Sequence, residues 1–519
     1  MELPLKLLAA FLCGLLAGGS AHAAAGDLDT TFGSSGVTLA EIGDEGARAM
    51  LVLPDGKLLT ATIADASARG VSLLLTRFLG SGALDTTFAT AGTATLGIAD
   101  DELGEVNTMV RQSDGKIVLA GRALESLSLV RVSAAGALDA GFGSGGVAAM
   151  KIGGDDEAFA VALDGDGKAV AAGRSDSGTN SDFAVVRLTT TGVPDPTFSG
   201  DGRLATDFGG EDEARAVVVQ GDAMILAVGG TDHGDADLAL ARYTSAGVLD
   251  GGFGTGGKVV THVSDDDDVA YAALVLPDGR IVVAGKSGDD FLLARYSSTG
   301  ALDTGFGSGG FAVADVSPGE IDAAAALVRQ GDGRLIAGGA AHPAGTSDFA
   351  LVRRVAGGGA DASFGSAGKV TTEVTSTFNE EIYALALQAD GRLLAAGLGE
   401  DGLGDYQMIA RYHAGSVAPV CGNAIVEAPE ECDDGNTTFV KGEFCDADCT
   451  RIACGKPTGS AGDAPTASDA LYTLRVAVGI DTCDSRVCDT ESSGSVTAAD
   501  ALRVLKAAVG QPIVLNCPV

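Results

Sequence analysis

One unit recurs seven times along most of this 519-residue chain, and no other feature constrains the fold as strongly. Each copy carries a Phe in a Leu-Asp-x-x-Phe-Gly setting, an Asp-Gly turn between two apolar runs, and an Arg that ends an apolar run. Successive Phe landmarks lie 53 to 58 residues apart, whereas the step from an Arg to the next Phe is always 11 residues. The Phe landmarks are Phe32, Phe88, Phe142, Phe198, Phe253, Phe306 and Phe364; the turn glycines are Gly56, Gly115, Gly167, Gly279, Gly333 and Gly391, with the fourth copy drifted to Gly221-Asp222; the Arg landmarks are Arg77, Arg131, Arg187, Arg242, Arg295, Arg353 and Arg411. Periods of this length are typical of propellers and solenoids.

Each unit contains four short runs with strand character. In the fifth copy these are residues 257–261, 272–276, 280–284 and 291–296, and a Pro-Asp-Gly turn joins the middle two into a hairpin. Four strands per unit, in seven units, predict an all-β fold that closes radially into a seven-bladed β-propeller and leaves only short, protected edges. A β-solenoid is the alternative, but its turns are normally shorter and an all-parallel coil does not need the hairpin.

The landmarks also carry a family resemblance. The run from Leu302 through Phe306 to Gly310, with the downstream Asp-Gly-Arg and Leu-x-x-Arg-Tyr patterns, resembles the delta-60 repeat of bacterial propeller proteins. The resemblance covers about residues 26–413 and implies the propeller fold. It implies no activity, because that family is defined by its repeat.

Acidic residues gather in two loops of each unit. One set follows the first strand and the other precedes the last strand, so in an up-and-down sheet both sets lie at one end. The first set is Asp44, Glu45, Asp100, Asp101, Glu102, Asp155, Asp156, Glu157, Glu211, Asp212, Glu213, residues 265–268, Glu320, Asp322, Glu380 and Glu381; the second is Asp182, Asp237, Asp290, Asp348 and Asp405. We expect a negative face that concentrates Ca²⁺ or other hard cations. The alternative is that these loops only keep an exported protein soluble.

The overall charge limits the partners. The chain has 34 basic and 70 acidic residues, a formal net charge of −36, which argues against nucleic acid and anionic lipid as partners. Trp is absent and aromatic residues make up 5% of the chain, so few platforms exist for stacking of sugars or bases.

The first residues have the pattern of a signal peptide. Lys6 precedes an apolar run over residues 7–17, and Ala21-His22-Ala23 is a small-x-small cleavage site. We therefore expect a signal peptide over residues 1–23 and a secreted or outer cell-surface protein. An uncleaved membrane anchor is the alternative, although the run is short for a span. We expect no membrane span later in the chain.

Composition changes after residue 415, where a linker over residues 416–420 precedes eight cysteines. An even number of cysteines in a short exported segment indicates disulfides, but eight thiols permit 105 pairings. Residues 421–454, with the run Glu431-Cys432-Asp433-Asp434-Gly435-Asn436, resemble the Myxococcus-type cysteine-rich repeat, which implies two disulfides among Cys421, Cys432, Cys445 and Cys449. A zinc site is the alternative, but the segment lacks paired Cys-x-x-Cys knuckles and a nearby His.

A second repeat occupies residues 455–519. Thr466-Ala-Ser-Asp469 and Thr497-Ala-Ala-Asp500 are displaced by 31 residues, and each begins a run with apolar residues at helical spacing that ends at a Gly. Both fit short helices with a capping-box start. We also expect disulfides Cys454–Cys517, which would clasp the ends of this module, and Cys483–Cys488.

The residues before the second helix have EF-hand-like spacing, with Gly at position six and a carboxylate at twelve. The duplicated loop-helix unit is similar to a dockerin module. That resemblance implies a weak Ca²⁺ site and a possible protein partner for the tail; its ligands would be Asp489, Glu491, Ser493, Ser495, Thr497 and Asp500. Plain helix capping by Thr497 and Asp500 is the alternative.

No catalytic or cofactor-binding residue stands out. The chain has five His in all, and we find no nucleophile elbow, no phosphate-binding loop and no His cluster. The sequence therefore favours a monomeric, secreted or cell-surface, non-catalytic binding scaffold, with an acidic propeller face and a tail for calcium-linked attachment or sorting. The alternative is a carbohydrate-active hydrolase with a dockerin tail, with glycan as the partner. Near-equivalence of the blades favours the scaffold, and acids or aromatics peculiar to one blade favour the enzyme.

Overall fold

The computed structural model describes residues 23–65, 71–97, 105–176, 178–374, 379–400, 404–415, 470–473, 476 and 496–508. In these residues 28 strands form seven four-stranded antiparallel sheets, which confirms the seven-bladed propeller. The first strand is β1 (Val37–Ala40). Blade 1 is β2 (Ala49–Val52), β3 (Leu58–Asp65), β4 (Val71–Phe78) and β5 (Thr93–Leu96); blade 2 is β6 (Glu105–Arg111), β7 (Ile117–Ala123), β8 (Ser126–Val132) and β9 (Val147–Met150); blade 3 is β10 (Asp156–Leu163), β11 (Ala169–Asp176), β12 (Ser181–Leu188) and β13 (Arg203–Thr206).

The later blades repeat this arrangement. Blade 4 is β14 (Glu211–Val219), β15 (Ile225–Asp232), β16 (Ala236–Tyr243) and β17 (Lys258–Thr261); blade 5 is β18 (Asp268–Val275), β19 (Ile281–Ser287), β20 (Asp290–Tyr296) and β21 (Phe311–Ala314); blade 6 is β22 (Ala323–Arg329), β23 (Leu335–Ala341), β24 (Asp348–Arg354) and β25 (Lys369–Thr372); blade 7 is β26 (Glu380–Leu387), β27 (Leu393–Glu400) and β28 (Asp405–Tyr412), with β1 as its fourth strand. A short 3₁₀ helix (Pro343–Gly345) precedes β24. The first strands of neighbouring blades contact one another, so they surround the axis and the fourth strands lie outermost.

The sequence repeat and the blade are out of phase. The strand that begins each repeat pairs with the last strand of the preceding repeat and becomes the outer strand of that blade, as β17 does on β16. The first repeat has no preceding repeat in sequence, so β1 pairs with β28, with Val37 opposite Ala410 and Ala40 opposite Gln407. The ring is therefore closed by a sheet that joins both ends of the propeller.

The constant spacing between Arg and Phe has a structural cause. Each landmark Phe is buried, and the landmark Arg lies 4.4–5.1 Å from its ring centroid, a cation–π contact. In blade 3, Arg187 Nε also donates to Asp195 at 2.8 Å, while its Nη1 donates to the Ser245 carbonyl of blade 4 at 2.7 Å. The Arg landmark is thus an inter-blade joint as well as part of a strand.

Inner strands carry a bulge at one recurrent position. The register shifts by one residue in six of the inner strands, for example between Ala158 and Ala160 of β10. Opposite this bulge a Gly is required in β11, because a Cβ on Gly173 would lie 1.8 Å from the Glu157 carbonyl oxygen. In the drifted fourth turn, Ala223 takes the left-handed position of the turn Gly, with a φ of 65°.

Beyond the propeller, α1 (Ala498–Ala508) is described, and residues 470–473 are also helical. None of the helices in the described residues is long and apolar enough to cross a membrane. The predicted signal peptide, the linker and the cysteine-rich segment with its disulfides lie outside the described residues.

Candidate functional site

Both acidic loops of each blade lie at one end of the propeller. In an antiparallel meander the connection from second to third strand and the connection to the next blade are at the same end, whereas the Asp-Gly turns are at the opposite end. We call the first end the acidic face. The prediction that the two sets of loops share one end is therefore confirmed, although the first set connects blades and does not lie within one.

Acidic side chains converge at the junctions between blades on this face. Each junction cluster takes one residue from the start of a third strand, one that directly follows the outer strand, and one from the start of the next inner strand. In three junctions of the described propeller, one ligand-type atom from each residue lies within 4.8 Å of the other two; the clusters are Asp182 with Asp207 and Asp212, Asp237 with His262 and Asp268, and Asp290 with Asp315 and Asp322. They occupy junctions 3/4, 4/5 and 5/6.

Junction 6/7 has equivalent residues. Asp348 begins β24, Glu373 follows β25, and Glu380 begins β26. Burial, together with the charges of Glu380 and Glu373, raises the pKa of Asp348 to about 6. Carboxylates at this junction are therefore close enough to repel one another.

The inner-strand carboxylates at these junctions are fully buried. Two of them cap the loop that enters the blade. Asp268 accepts from the Val263 and Ser264 amides at 2.7 and 2.9 Å and from the Ser264 hydroxyl at 3.0 Å. Asp322 accepts from the Val316 and Ser317 amides at 2.6 and 2.7 Å, and its other oxygen accepts from His342 N at 3.4 Å. These two carboxylates therefore have a structural role.

Junction 2/3 differs in charge. Lys151 follows β9 in the place of Asp207, and it pairs with Glu125 at 3.0 Å. Asp156 is fully buried and accepts from the Ile152 and Gly153 amides at 2.6 and 3.0 Å. The buried cap is thus retained here, whereas the cluster of like charges is not.

A second feature surrounds the axis near the acidic face. The residues at the bulges of the inner strands, with Arg48 of blade 1, contact one another across blades, and we call them the axial ring: Arg48, Asn107, Phe159, Arg215, Tyr271, Ala325 and Tyr383. The Arg215 guanidinium lies 4.0 Å from the Phe159 ring centroid, and that of Arg48 lies 4.5 Å from the Tyr383 ring centroid. Unlike the junction clusters, the axial ring differs from blade to blade.

A proton-sharing pair lies beside the axial ring. Glu157 accepts from Asn107 Nδ2 at 3.0 Å and lies 3.5 Å from the Arg174 guanidinium. Burial, followed by the hydrogen bond and charge of Glu105, raises the pKa of Glu157 to about 7. One of these two carboxyl groups therefore carries a proton near neutral pH.

The predicted calcium ligands in the tail lie mostly outside the described residues, namely Asp489, Glu491, Ser493 and Ser495. Thr497 and Asp500 are described, and they form the predicted capping box at the start of α1. Asp500 Oδ2 accepts from the Thr497 amide at 2.7 Å and from its hydroxyl at 2.9 Å, and Thr497 Oγ1 accepts from the Ala499 amide at 3.2 Å. Calcium binding by the tail stays a prediction.

Sequence reasoning missed the central member of each junction cluster. Asp207, Asp315 and Glu373 each follow the last residue of an outer strand directly, and His262 has the same position in blade 4. That recurrence is present in the sequence and marks the position. The histidines therefore do not all lie at unrelated places, since His262 replaces a carboxylate of the repeat.

Three stretches of the chain match a family model described as "Domain of unknown function (DUF5122) beta-propeller", over residues 112–142, 165–198 and 276–306. Each stretch runs from the region of the hairpin turn to a landmark Phe. The match supports a bacterial β-propeller repeat protein. The delta-60, cysteine-rich and dockerin-like resemblances stay predictions.

Similar solved structures share 10–14% identity with this chain. Polysaccharide lyase Uly1 has a TM-score of 0.41 and 11% identity, covering 74% of this chain and 92% of its own. Chaetomium thermophilum Sqt1, bound to the N-terminus of ribosomal protein L10, has a TM-score of 0.42 and 10% identity, covering 72% and 98%. A Dyadobacter fermentans protein of unknown function has a TM-score of 0.38 and 14% identity, covering 72% and 97%. No curated protein matches the chain.

Proposed function

We propose that this chain is a secreted or cell-surface, non-catalytic binding scaffold. Its propeller presents the acidic face to a partner, and its dockerin-like tail mediates calcium-linked protein attachment or sorting. The observation that carries the proposal is the recurrence of the junction clusters at equivalent positions of successive blades. A catalytic centre needs one distinct constellation, whereas a repeated set of like clusters gives several equivalent contacts to one partner.

The chemistry of the clusters favours a cationic partner. Asp207 and Asp315 are exposed, and each stands beside a fully buried carboxylate, Asp212 or Asp322. A surface segment rich in Lys and Arg would place ammonium or guanidinium groups against several junctions at once. Because exposed charges on a face attract over long distances, such binding weakens as salt rises.

Binding of a Lys-rich peptide to the full-length protein tests the scaffold. The double variant Asp207→Asn/Asp315→Asn removes two charges from the acidic face. The double variant Asp114→Asn/Asp278→Asn removes two exposed charges from the Asp-Gly turns at the opposite end and serves as the matched control. We expect a several-fold loss of affinity in the first variant at low salt and little change in the control.

Two results would contradict the scaffold. Equal weakening by both double variants would mean that the peptide senses net charge and not a face. Absence of peptide binding by the wild type at low salt would mean that the acidic face does not recognise cationic partners. A Glu-rich peptide of equal length controls for nonspecific adsorption.

The hydrolase is the second candidate, and the raised pKa of Glu157 favours it. A glutamic acid that is protonated near pH 7 has the property required of a general acid. Glycoside hydrolysis, however, needs two carboxyl groups about 5–9.5 Å apart, and Glu105 hydrogen-bonds to Glu157 directly. This pair is too close to flank a glycosidic bond.

Glycan turnover distinguishes the two candidates. The full-length protein is incubated with a panel of polysaccharides and the reducing ends are measured, with Glu157→Gln as the comparison variant. Under the scaffold proposal neither protein produces reducing ends. Turnover by the wild type that disappears in Glu157→Gln would establish the hydrolase and overturn the scaffold.

A further inference from the structure

One junction cluster differs from the others in its hydrogen bonding. At junction 3/4, Asp182, Asp207 and Asp212 contribute three carboxylates whose nearest oxygens lie within 4.8 Å of one another. We call this the Asp212 cluster. Asp212 is fully buried, Asp182 is partly buried and Asp207 is exposed, so the cluster runs from the interior of the junction to the acidic face.

Two oxygens of the Asp212 cluster lack a hydrogen-bond partner. Asp212 Oδ2 accepts from the Phe208 amide, but its Oδ1 is buried without a partner, and so is Asp182 Oδ1. The Thr231 hydroxyl lies near Asp212, yet it too makes no hydrogen bond of standard geometry. Leaving a buried charged acceptor unpaired is costly, and such groups in folded proteins normally have a partner.

The equivalent carboxylates show that the fold can satisfy this position. Asp268 and Asp322 accept on both oxygens from loop amides, a Ser hydroxyl or the amide of His342. Asp212 receives fewer donors because its loop, residues 207–210, bends differently and Phe208 packs at 4.9 Å from Phe183. The spare acceptor capacity is therefore specific to junction 3/4 among the junctions compared.

Nearby cations do not balance the charge of the cluster. Lys258 of β17 reaches the region, but its ammonium donates to the Asp207 carbonyl and not to a carboxylate of the cluster. Glu211 adds a further carboxylate, which accepts from the Ser181 amide and hydroxyl at 2.9 Å. A group that brings positive charge and accepts lone pairs from several oxygens would complete the site.

We propose that the Asp212 cluster is a Ca²⁺ site that joins blade 3 to blade 4. Oxygens within 4.8 Å of one another can all contact one ion at about 2.4 Å, which is the Ca–O distance, whereas the Mg–O distance of about 2.1 Å allows a span of only about 4.2 Å. Zn²⁺ prefers nitrogen and sulfur ligands, which this cluster does not contain. Water supplies the remaining ligands on the exposed side. The proposal does not depend on the scaffold function.

Tb³⁺, which substitutes for Ca²⁺, reports on this site through a neighbouring tyrosine. Tyr243 is buried and its hydroxyl donates to Thr206 Oγ1 at 2.8 Å, directly before Asp207 in the chain. The chain has no Trp, so tyrosine is the sensitiser. We expect Tb³⁺ emission on excitation of tyrosine in the calcium-free full-length protein, with Ca²⁺ competing at a Kd on the order of 0.1–1 mM, as in extracellular modules.

Three variants locate the ion. Asp212→Asn keeps an acceptor for the Phe208 amide but removes charge, and Asp182→Asn sacrifices no hydrogen bond at its unpartnered Oδ1. The matched control is Asp322→Asn, which removes the same charge from the equivalent position of blade 6. We expect each cluster variant to lower Ca²⁺ affinity at least about tenfold and to bind one equivalent less than the wild type, whereas the control keeps that equivalent. Comparison of equivalents cancels any ion held by the tail.

The thermal response provides an independent measurement. We expect 5 mM Ca²⁺ to raise the Tm of the wild type and of Asp322→Asn but not that of Asp182→Asn, because an ion bound to the folded state stabilises it by mass action. Tyr243→Phe should lose most of the sensitised emission and keep the Ca²⁺-dependent rise in Tm. The proposal is overturned if the wild type shows no response to Ca²⁺ up to 10 mM, if Asp322→Asn loses as much affinity as Asp212→Asn, or if Tyr243→Phe retains full emission.

Discussion

The closure of the ring depends on a joint that links its two ends, and removing one side of this joint gives a sharp prediction. Arg411 of β28 pairs with Asp29, which precedes β1, at 2.9 Å. The guanidinium also donates to Thr31 Oγ1 at 3.1 Å and lies 4.7 Å from the Phe32 ring centroid. Arg411→Ala removes all of these contacts between the N-terminal segment and the last blade.

The magnitude follows from the burial of the pair. The Asp29 side chain is 2% exposed and that of Arg411 is 7% exposed, and breaking such a pair from one side costs about 3–5 kcal/mol. Arg392 still pairs with Asp29 at 2.8 Å in the variant, so we take the lower value of about 3 kcal/mol. A loss of about 3 kcal/mol in the free energy of opening corresponds to about a hundredfold faster amide exchange.

Hydrogen exchange followed by mass spectrometry measures the opening. The peptide that contains β1 (Val37–Ala40) is compared between wild type and Arg411→Ala under native conditions, where exchange reports the opening equilibrium. β1 pairs with β28 over four residues, so its amides should open locally once the joint is lost. We expect the hundredfold acceleration in β1 and far smaller changes in the inner strands of blades 3 to 5.

Arg187→Ala is the matched control. Arg187 makes the same contacts, with Asp195 at 2.8 Å and the Phe198 ring at 5.1 Å, but within one continuous stretch of chain. It should therefore leave β1 exchange close to the wild-type rate. The reasoning is refuted if Arg187→Ala accelerates β1 exchange as much as Arg411→Ala does, or if Arg411→Ala leaves β1 unchanged.

Two further predictions concern pH and packing. Burial and the charges of Glu380 and Glu373 raise the pKa of Asp348 to about 6, above its value in the unfolded chain, so the wild type has its full stability below about pH 4 and loses part of it as the pH rises through 6. Asp348→Asn should therefore raise the free energy of unfolding by about 1–3 kcal/mol at pH 7.5 and by almost nothing at pH 4 in urea titrations, and an equal gain at both pH values would contradict this cause. A Cβ on Gly173 would lie 1.8 Å from a backbone oxygen, so Gly173→Ala should cost at least about 2 kcal/mol by the same titration, whereas Gly251→Ala, with no atom within 4 Å of its Cβ, should change stability by less than about 0.5 kcal/mol; similar costs for both would show that the bulge tolerates a side chain.

Sequence alone was sufficient for the number of blades and the type of each strand. Asp-Gly turns and alternating apolar runs are local signals, because turn geometry and side-chain alternation depend on a few neighbouring residues. The fixed step between Arg295 and Phe306 likewise predicted a rigid joint. The structure confirms it as a cation–π contact of 4.6 Å combined with an ion pair of 2.8 Å to Asp303.

The candidate site was predicted in part. The acidic loops were placed at one end from strand order, which needs no knowledge of sheet pairing. The meeting of Asp182 with Asp207 and Asp212 was not predicted, because these residues come from two blades and depend on how the blades pack. The pairing of Glu105 with Glu157 was missed for the same reason, since each lies on the inner strand of a different blade.

By itself, the sequence determined the repeat, the turns, the alternation of buried and exposed residues, and a strong negative charge, all of which are set by local stereochemistry and composition. The tertiary structure decided which strand completes which blade. A strand such as β17 follows one hairpin and precedes another, and either could pair with it; the choice is fixed because β1 must pair with β28 to close the ring. The same closure decided which carboxylates meet at a junction, because contacts between blades form only when neighbouring sheets pack around a common axis.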